Sequence, residues 1–226
     1  MKIDFYGHAC VGVSGSKKIL IDPYLSGNPS ASLTAEQAAA DYLLVTHGHG
    51  DHLGDAVEIA KRTGAQVVAM VELANWFGKQ GVEALGMNLG GSYTFADGFK
   101  VKLVPAWHSS HLPDGSAVGL PVGFIFWLDG LCFYHAGDTA LFGDMKQVIA
   151  PHGLDWAFLP IGDFYTMGPD DALIAAEWLN AKNYLPIHYN TFPLLQQNAA
   201  QFKQRLEDKL PGAKCHVLQP GEHTEL

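Results

Sequence analysis

The first 21 residues of the chain carry three short apolar runs separated by polar residues and glycines. The runs cover residues 3–6, 10–13 and 18–21. Runs of about four residues with Gly and Ser at their boundaries are typical of β-strands joined by tight turns. We therefore predict that the chain begins with a β-rich segment.

From residue 41 the pattern changes to strand-length apolar runs that alternate with stretches of helical length. It predicts strands over 43–46, 67–70, 93–95, 100–104, 123–128, 131–135, 156–160, 184–187 and 215–218. It predicts helices over 55–62, 73–80, 142–150, 170–179 and 197–209. The Asp129-Gly130 pair between two predicted strands is a strong hairpin signal. Strands interleaved with helices in both halves of the chain indicate two packed sheets with helices on their outer faces.

Length and composition indicate one globular domain. The chain has 226 residues, of which 48% are hydrophobic and 16% charged, and this is enough for a large buried core. No Pro- or Ser-rich linker, low-complexity tract or short repeat divides the chain. We therefore predict a single domain over residues 1–226.

Charge, hydropathy and cysteine content limit the partners and the cellular compartment that we expect for the chain. A formal net charge of -9 without a long Lys/Arg run argues against nucleic acid as a partner. No apolar run reaches the roughly 20 residues of a membrane span, and the first residues do not have the pattern of a signal peptide. The three cysteines, Cys10, Cys132 and Cys215, are widely spaced and odd in number, which favours reduced thiols. We predict a cytoplasmic protein without an integral membrane segment, and the oligomeric state stays open.

The chemistry of the chain is concentrated in one stretch, His47-Gly48-His49-Gly50-Asp51-His52, directly after a predicted strand. On a helix His47 and His49 would point about 200° apart, so both can reach one ion only from an irregular turn. The two glycines can adopt positive φ and permit such a turn. Neutral imidazoles and a carboxylate suit a divalent metal such as zinc, so the stretch predicts a metal site.

Three further candidate ligands follow predicted strands elsewhere in the chain. His108 follows the strand over 100–104, Asp138 follows the strand over 131–135, and His188 follows the strand over 184–187. Each alone is compatible with an ordinary loop residue. Loops at the ends of strands in one scaffold can converge, so together these residues indicate a larger metal centre.

The order of these motifs closely resembles the metallo-β-lactamase superfamily over nearly the whole chain. His-x-His-x-Asp-His, a lone His, Gly-Asp-Thr and a late His occur in the order of that superfamily. Tyr6-Gly7-His8-Ala9-Cys10, Ile21-Asp22-Pro23-Tyr24 and Pro186-Ile187-His188-Tyr189 look most like the bacterial metal-dependent hydrolase branch of unassigned substrate. That branch is similar to ascorbate-6-phosphate lactonase and to the phospholipase D that acts on N-acylphosphatidylethanolamine. The resemblance implies an α/β fold, the four-layer αββα sandwich, with the site at one edge between the sheets.

The resemblance also implies a set of ligands for each of two divalent ions. His47, His49 and His108 match the ligands of the first ion, and Asp51, His52 and His188 match those of the second. Asp138 matches the carboxylate that bridges both. Zinc is favoured, with manganese or iron as alternatives. Two such ions about 3.5–4 Å apart can share a water whose pKa falls toward 7, and the resulting hydroxide would attack the substrate.

Several other residues are candidates for supporting roles. Asp51 can hold the nucleophilic water and receive its proton, which makes it the catalytic candidate. Asp22 is a candidate to orient a ligating imidazole, although Asp-Pro also favours turns. His8 could reach the metal or the substrate, or be a buried strand residue. His111 and Asp163 could contact substrate, and His111 could compete with His108 as a ligand.

The substrate is less well defined than the metal centre. Loops over 25–35, 109–121 and 164–168 are predicted to rim the pocket, and none contains an Arg cluster or a Gly-rich phosphate loop. A small ester, lactone or phosphodiester fits equally well. The alternative function is a metal-binding or sensor module without catalysis on the same fold. A structural zinc site normally closes with four protein ligands, and this argues against that alternative.

Overall fold

The computed structural model describes residues 1–226, with fourteen strands, five α-helices and short turns of other helix types. The strands are β1 (Lys2–Gly7), β2 (Cys10–Ser14), β3 (Lys18–Ile21), β4 (Tyr42–Leu44), β5 (Gln66–Met70), β6 (Ala84–Met87), β7 (Ser92–Thr94), β8 (Lys100–Pro105), β9 (Val122–Leu128), β10 (Leu131–His135), β11 (Trp156–Pro160), β12 (Asn183–Ile187), β13 (Lys214–Cys215) and β14 (His223–Glu225). The helices are α1 (Gly50–Leu53), α2 (Ala56–Thr63), α3 (Val71–Lys79), α4 (Pro169–Leu179) and α5 (Ala199–Lys209). No helix combines the length and the apolar character that crossing a membrane requires.

The strands form two seven-stranded sheets of similar design. The first has the order β14-β1-β2-β3-β4-β5-β6, and the second has the order β13-β12-β11-β10-β9-β8-β7. In each sheet one half is antiparallel and the other parallel. Because β8 and β10 are both antiparallel to β9, β8 runs in the same direction as β10, β11 and β12. The ends of β8, β10 and β12 therefore meet at one edge of the second sheet.

The strand period of two separates the central layer from the outer layers. In β5, Val68 and Met70 face the core between the sheets, while Val67 and Ala69 face the helices of the first sheet. In β11, Phe158 faces the central core and Leu159 faces the helices of the second sheet. Strands buried on both faces read as continuous apolar runs, as the sequence shows.

Helices cover the outer face of each sheet. Leu73 and Phe77 of α3 pack with Ile59 of α2 on the first sheet, and Phe202 of α5 packs with Ala176 of α4 on the second. The layers are thus helix, sheet, sheet and helix. This confirms the predicted αββα arrangement.

Most predicted elements are present, and the differences have local causes. The Asp129-Gly130 hairpin is confirmed, with positive φ at both residues, as a type I′ turn requires. The predicted helix over 142–150 is instead a π-helical turn, Met145–Ile149, followed by a 3₁₀ turn, Ala150–His152. Pro151 lacks an N–H group, so an α-helical ladder cannot continue through it. The short elements β6, β14 and α1 were not predicted.

Candidate metal centre

The His-rich stretch lies between β4 and α2 and has two parts of different conformation. Residues 47 and 48 form an irregular turn, and the short helix α1 begins at Gly50, with His49 preceding it in an extended conformation. The interpretation of both glycines as positive-φ residues is wrong, because neither adopts positive φ. Gly48 is required for space instead, since a Cβ atom there would collide with the side chain of Val118.

The other candidate ligands reach this turn from the second sheet. His108 lies three residues after β8, Asp138 three residues after β10, and His188 directly after β12. Their strands end at the same edge, so the three side chains lie over one end of the sheet. His188 has a positive φ of 56°, and a side chain on Gly162 of the neighbouring loop would collide with its carbonyl oxygen.

The structure brings the predicted ligands into three overlapping groups, of which His47, His52 and Asp138 form the one that links the other two. The first cluster consists of His47, His49 and His108, and the second cluster consists of His8, Asp51, His52 and His188. Within each cluster the potential ligand atoms all lie within 4.8 Å of one another. In the first cluster, His47 Nε2 is 3.0 Å from His49 Nδ1. The two clusters contain the residues of the two predicted ligand sets, with His8 as an additional member of the second.

Asp138 lies between the two clusters. Its Oδ2 is 3.1 Å from His188 Nε2 and 3.5 Å from His108 Nε2, and its Oδ1 is 3.2 Å from His52 Nε2. The side chain is only 3% exposed. One carboxylate therefore contacts candidate ligands of both clusters.

The unsatisfied polar atoms of the site fit a metal. His52 Nε2, Asp138 Oδ1 and both ring nitrogens of His188 are buried without a hydrogen-bond partner. His52 Nε2 and Asp138 Oδ1 are close enough to pair but are not aligned for a hydrogen bond. Buried polar groups are normally hydrogen-bonded, and a cation bound among these nitrogen and oxygen atoms would satisfy them.

Asp22 supports a histidine of each cluster from beneath. It is fully buried, and its Oδ2 accepts hydrogen bonds of 2.7 Å from His52 Nδ1 and from the Thr46 hydroxyl. Because the Thr46 hydroxyl donates to Asp22, it accepts from His47 Nδ1 at 3.0 Å. Both imidazoles thus carry a hydrogen on Nδ1 and direct Nε2 toward the centre, where it can bind an ion when it is unprotonated.

His8 adjoins the second cluster from the turn between β1 and β2. Its Nε2 is 3.2 Å from Asp51 Oδ2, its Nδ1 is 2.9 Å from the Thr191 hydroxyl, and its carbonyl accepts from His188 N. Burial and the neighbouring His188 lower the pKa of His8 to about 4, so the ring is neutral at pH 7. An ionised carboxylate only accepts hydrogen bonds, so His8 Nε2 carries the hydrogen and Nδ1 accepts from Thr191.

The pKa of His52 shifts in the opposite direction from those of the first-cluster histidines. Burial lowers the pKa values of His47, His49 and His108 below 6.5. For His52 burial also opposes protonation, but the carboxylates of Asp138 and Asp22 on either side outweigh burial and raise its pKa well above 6.5. Perturbed pKa values of this kind are concentrated at functional sites.

A cavity of about 420 Å³ opens over the centre. Its lining consists of His49, Gly50, Asp51, His108, Ser109, His111, Pro113, Asp138, Tyr165 and His188. Two of the three predicted rim loops contribute, but the loop over 25–35 supplies none of these residues, so that prediction is wrong. The volume falls within the usual range of small-molecule sites.

The remaining candidates lie in different places. His111 is exposed at the cavity and its ring centre is 4.4 Å from that of His49, but it belongs to neither cluster. Asp163 does not line the cavity, and its carboxylate packs beside Gly168 at the start of α4. Thr46 and Thr191 were not predicted as supporting residues. Thr191 has no signal in the sequence, because it reaches His8 across 183 residues.

The chain is similar to known proteins over its whole length. The profile of the β-lactamase superfamily domain matches residues 17–189. A metal-dependent hydrolase (UPF0173) of Pelotomaculum thermopropionicum is 50% identical over 230 residues, and one of Geobacillus thermodenitrificans is 50% identical over 231 residues, each alignment covering 100% of both chains. The structure of Igni18, a metallo hydrolase of Ignicoccus hospitalis, superimposes with a TM-score of 0.91 at 36% identity, covering 100% of this chain and 98% of the other.

Proposed function

Because the chain belongs to the β-lactamase superfamily and to its UPF0173 metal-dependent hydrolases, we propose that it hydrolyses a small molecule with two divalent metal ions. His47, His49 and His108 would hold the first ion, and Asp51, His52 and His188 the second. The observation that carries the proposal is Asp138, which contacts ligands of both clusters from a buried position. Zinc is the favoured metal because imidazole and carboxylate ligands suit it.

The bound ions would lower the pKa of a water and polarise the substrate oxygen. The protein residues would set where this chemistry occurs. Asp22 and Thr46 hold the rings of His52 and His47 with Nε2 toward the centre. His47, His52 and His188 are buried, whereas His49 and His108 are partly exposed and line the cavity.

Asp51 is the proposed catalytic carboxylate. It is the one ligand of the second cluster with substantial exposure, 33%, and it lines the cavity. Burial would raise its pKa, but the His8 hydrogen bond and the nearby His52 outweigh burial and lower it, so the group is ionised at neutral pH. It can therefore hold a nucleophilic water and receive its proton during attack.

His8 is proposed to position Asp51 and not to bind an ion. Its Nε2 hydrogen donates to Asp51, so no lone pair on that nitrogen is free for a metal. Thr191 fixes the ring from its other side, and the His8 carbonyl holds the backbone of His188. One residue thereby restrains two ligands of the second ion.

The test joins elemental analysis of the purified protein to a hydrolysis screen. We expect two transition-metal ions per chain and turnover of at least one of three chromogenic probes: an ester, a lactone or a phosphodiester. Protein that binds no transition metal would refute the proposal. Two bound ions without turnover across the screen would favour the metal-binding or sensor alternative.

A further inference from the structure

The three most exposed aromatic side chains of the molecule are near the metal centre. Trp107, Phe164 and Tyr165 are 66%, 65% and 54% exposed. Large apolar side chains in water are unfavourable unless they serve an interaction, and grouped ones indicate a binding surface. Their position beside a cavity makes a small-molecule ligand the relevant occupant.

The positions of these residues are tied to the centre by hydrogen bonds. Thr139, which follows Asp138, accepts from Trp107 N at 2.9 Å through its hydroxyl and from Met167 N at 3.0 Å through its carbonyl. Tyr165 lines the cavity, and the ring of Phe164 packs edge-on against it at 4.7 Å between centroids. The aromatic residues thus belong to two segments that meet beside the proposed bridging ligand.

The backbone of Phe164 supports a functional interpretation. Its φ is 27°, within the left-handed region that disfavours bulky residues, and Asp163 before it has a φ of 62°. Such conformations cost free energy and are concentrated at functional sites. Here the strained backbone holds an apolar ring in the solvent next to the cavity.

The cavity has no Lys or Arg side chain that would bind an anionic group of a substrate. Sites for phosphorylated substrates usually supply Arg or Lys to the phosphate. The net charge of -9 further disfavours substrates with several negative charges.

We propose that Trp107, Phe164 and Tyr165 form an aromatic rim that binds an alkyl or aryl group of an uncharged carboxylic ester or lactone. This rests on the proposed hydrolase function and selects among the substrates it allows. In the reaction, water oxygen bonds to the acyl carbon, the bond from that carbon to the leaving oxygen breaks, and the leaving oxygen takes up a proton. No oxidation or reduction occurs.

The test uses the zinc-loaded full-length protein and p-nitrophenyl esters with a common leaving group. We expect kcat/KM for p-nitrophenyl hexanoate to exceed that for the acetate by at least tenfold. A fully buried CH₂ group contributes about fourfold, and the rim covers four additional groups only partly. Bis(p-nitrophenyl) phosphate, an anionic diester, should be hydrolysed more slowly than the hexanoate.

The decisive variant is the double substitution Trp107→Ala/Phe164→Ala, which should reduce the hexanoate-to-acetate ratio to about two. Both side chains are highly exposed, so the variant should fold and bind zinc as the parent does, which circular dichroism and metal analysis verify. Trp107→Leu/Phe164→Leu should restore an intermediate ratio. The matched control is Tyr93→Ala, an exposed aromatic on β7 outside the cavity, which should leave the ratio unchanged.

The outcomes separate this inference from the function on which it rests. A parent ratio near one, or a ratio that the double substitution leaves unchanged, would overturn the aromatic rim while ester hydrolysis stands. Faster hydrolysis of the phosphodiester than of both esters would overturn the proposed substrate class. Absence of hydrolysis of all probes by the zinc-loaded protein would overturn the hydrolase function itself.

Discussion

The two halves of the metal centre differ in how firmly the protein holds them. In the first cluster, His49 and His108 are partly exposed on the cavity, and the side-chain support of His47 is a hydroxyl, Thr46. In the second cluster, His52 is bound directly by the buried carboxylate of Asp22, at 2.7 Å. The second half is thus preorganised by charge and burial, while the first half is open to solvent and substrate.

This difference suggests a division of labour between the clusters. Groups that a scaffold holds rigidly give a site its geometry, whereas groups at a cavity wall contact the reacting molecule. Asp51 belongs to the second cluster but faces the cavity, so it joins the rigid half to the substrate. The predictions below test whether the two halves can be separated.

The largest effect is expected for the residue that both halves share. Asp138→Ala removes a buried carboxylate that contacts His52, His108 and His188. We expect weaker binding of both ions and a loss of turnover of at least about 10³-fold, because each ion stabilises the charge of the transition state by several kcal/mol. His223→Ala, an exposed histidine on β14 outside the cavity and both clusters, serves as the control and should change turnover less than about threefold. Selective loss of one ion in Asp138→Ala would show that the carboxylate does not bridge.

The next effect separates catalysis from metal binding within the second cluster. Asp51→Asn preserves the shape of the side chain but cannot take up a proton, so turnover should fall by about 10²–10³-fold. Some metal should remain bound at the second site, since His52 and His188 are unchanged. Metal analysis and kcat on the same preparation measure both quantities, and unchanged turnover would exclude the catalytic role.

A smaller effect tests the supports beneath the histidines. In Asp22→Asn an amide can donate toward His52 Nδ1, which would move the imidazole hydrogen to Nε2 and block metal binding. We expect the affinity of the second site to fall by about 10–100-fold. Competition with a chromogenic chelator gives the two affinities separately.

Thr46→Val is the matched variant for the first cluster, because it removes the hydroxyl that accepts from His47. It also removes the hydroxyl donor to Asp22, which keeps its hydrogen bonds from His52 Nδ1 and Thr46 N. It should weaken the first site by about tenfold and the second by less. Equal losses at both sites in both variants would show that the two clusters bind their ions as one unit.

How much of this was visible in the sequence depends on the range of the interaction. The strand pattern and the Asp129-Gly130 hairpin were predictable, because local turn chemistry and the period of two determine them. The candidate ligands could be selected because each follows an apolar strand or lies in one dense motif. Asp22 was a candidate from its position after a strand, but its bonds to both Thr46 and His52 depend on strand pairing.

Other features had no local signal. His8 and Thr191 meet only because β1 and the segment after β12 lie side by side in the folded chain. The π-helical turn at Met145–Ile149 has helical composition, and only the following proline hints at its irregularity. Glycine is required at position 48 because Val118 of a distant loop leaves no space for a Cβ atom. The sequence argument that Gly48 needs a positive φ was therefore wrong.

The smallest predicted effect is the pH dependence of metal binding. It should differ between the clusters because the pKa of His52 is raised and the pKa values of the first-cluster histidines are lowered. Asp138 and Asp22 raise the pKa of His52 well above 6.5, so without a metal this imidazole is protonated at neutral pH. A second-site ion must displace that proton, and its affinity should therefore fall by up to about tenfold between pH 8 and pH 7. The first-cluster histidines have pKa values lowered by burial and are already neutral at pH 7, so first-site affinity should change less than about threefold between pH 8 and 7. Calorimetric titration in buffers of different ionisation enthalpy counts the protons released at each step. Equal proton release at both steps would mean that the carboxylates beside His52 do not distinguish the second cluster from the first.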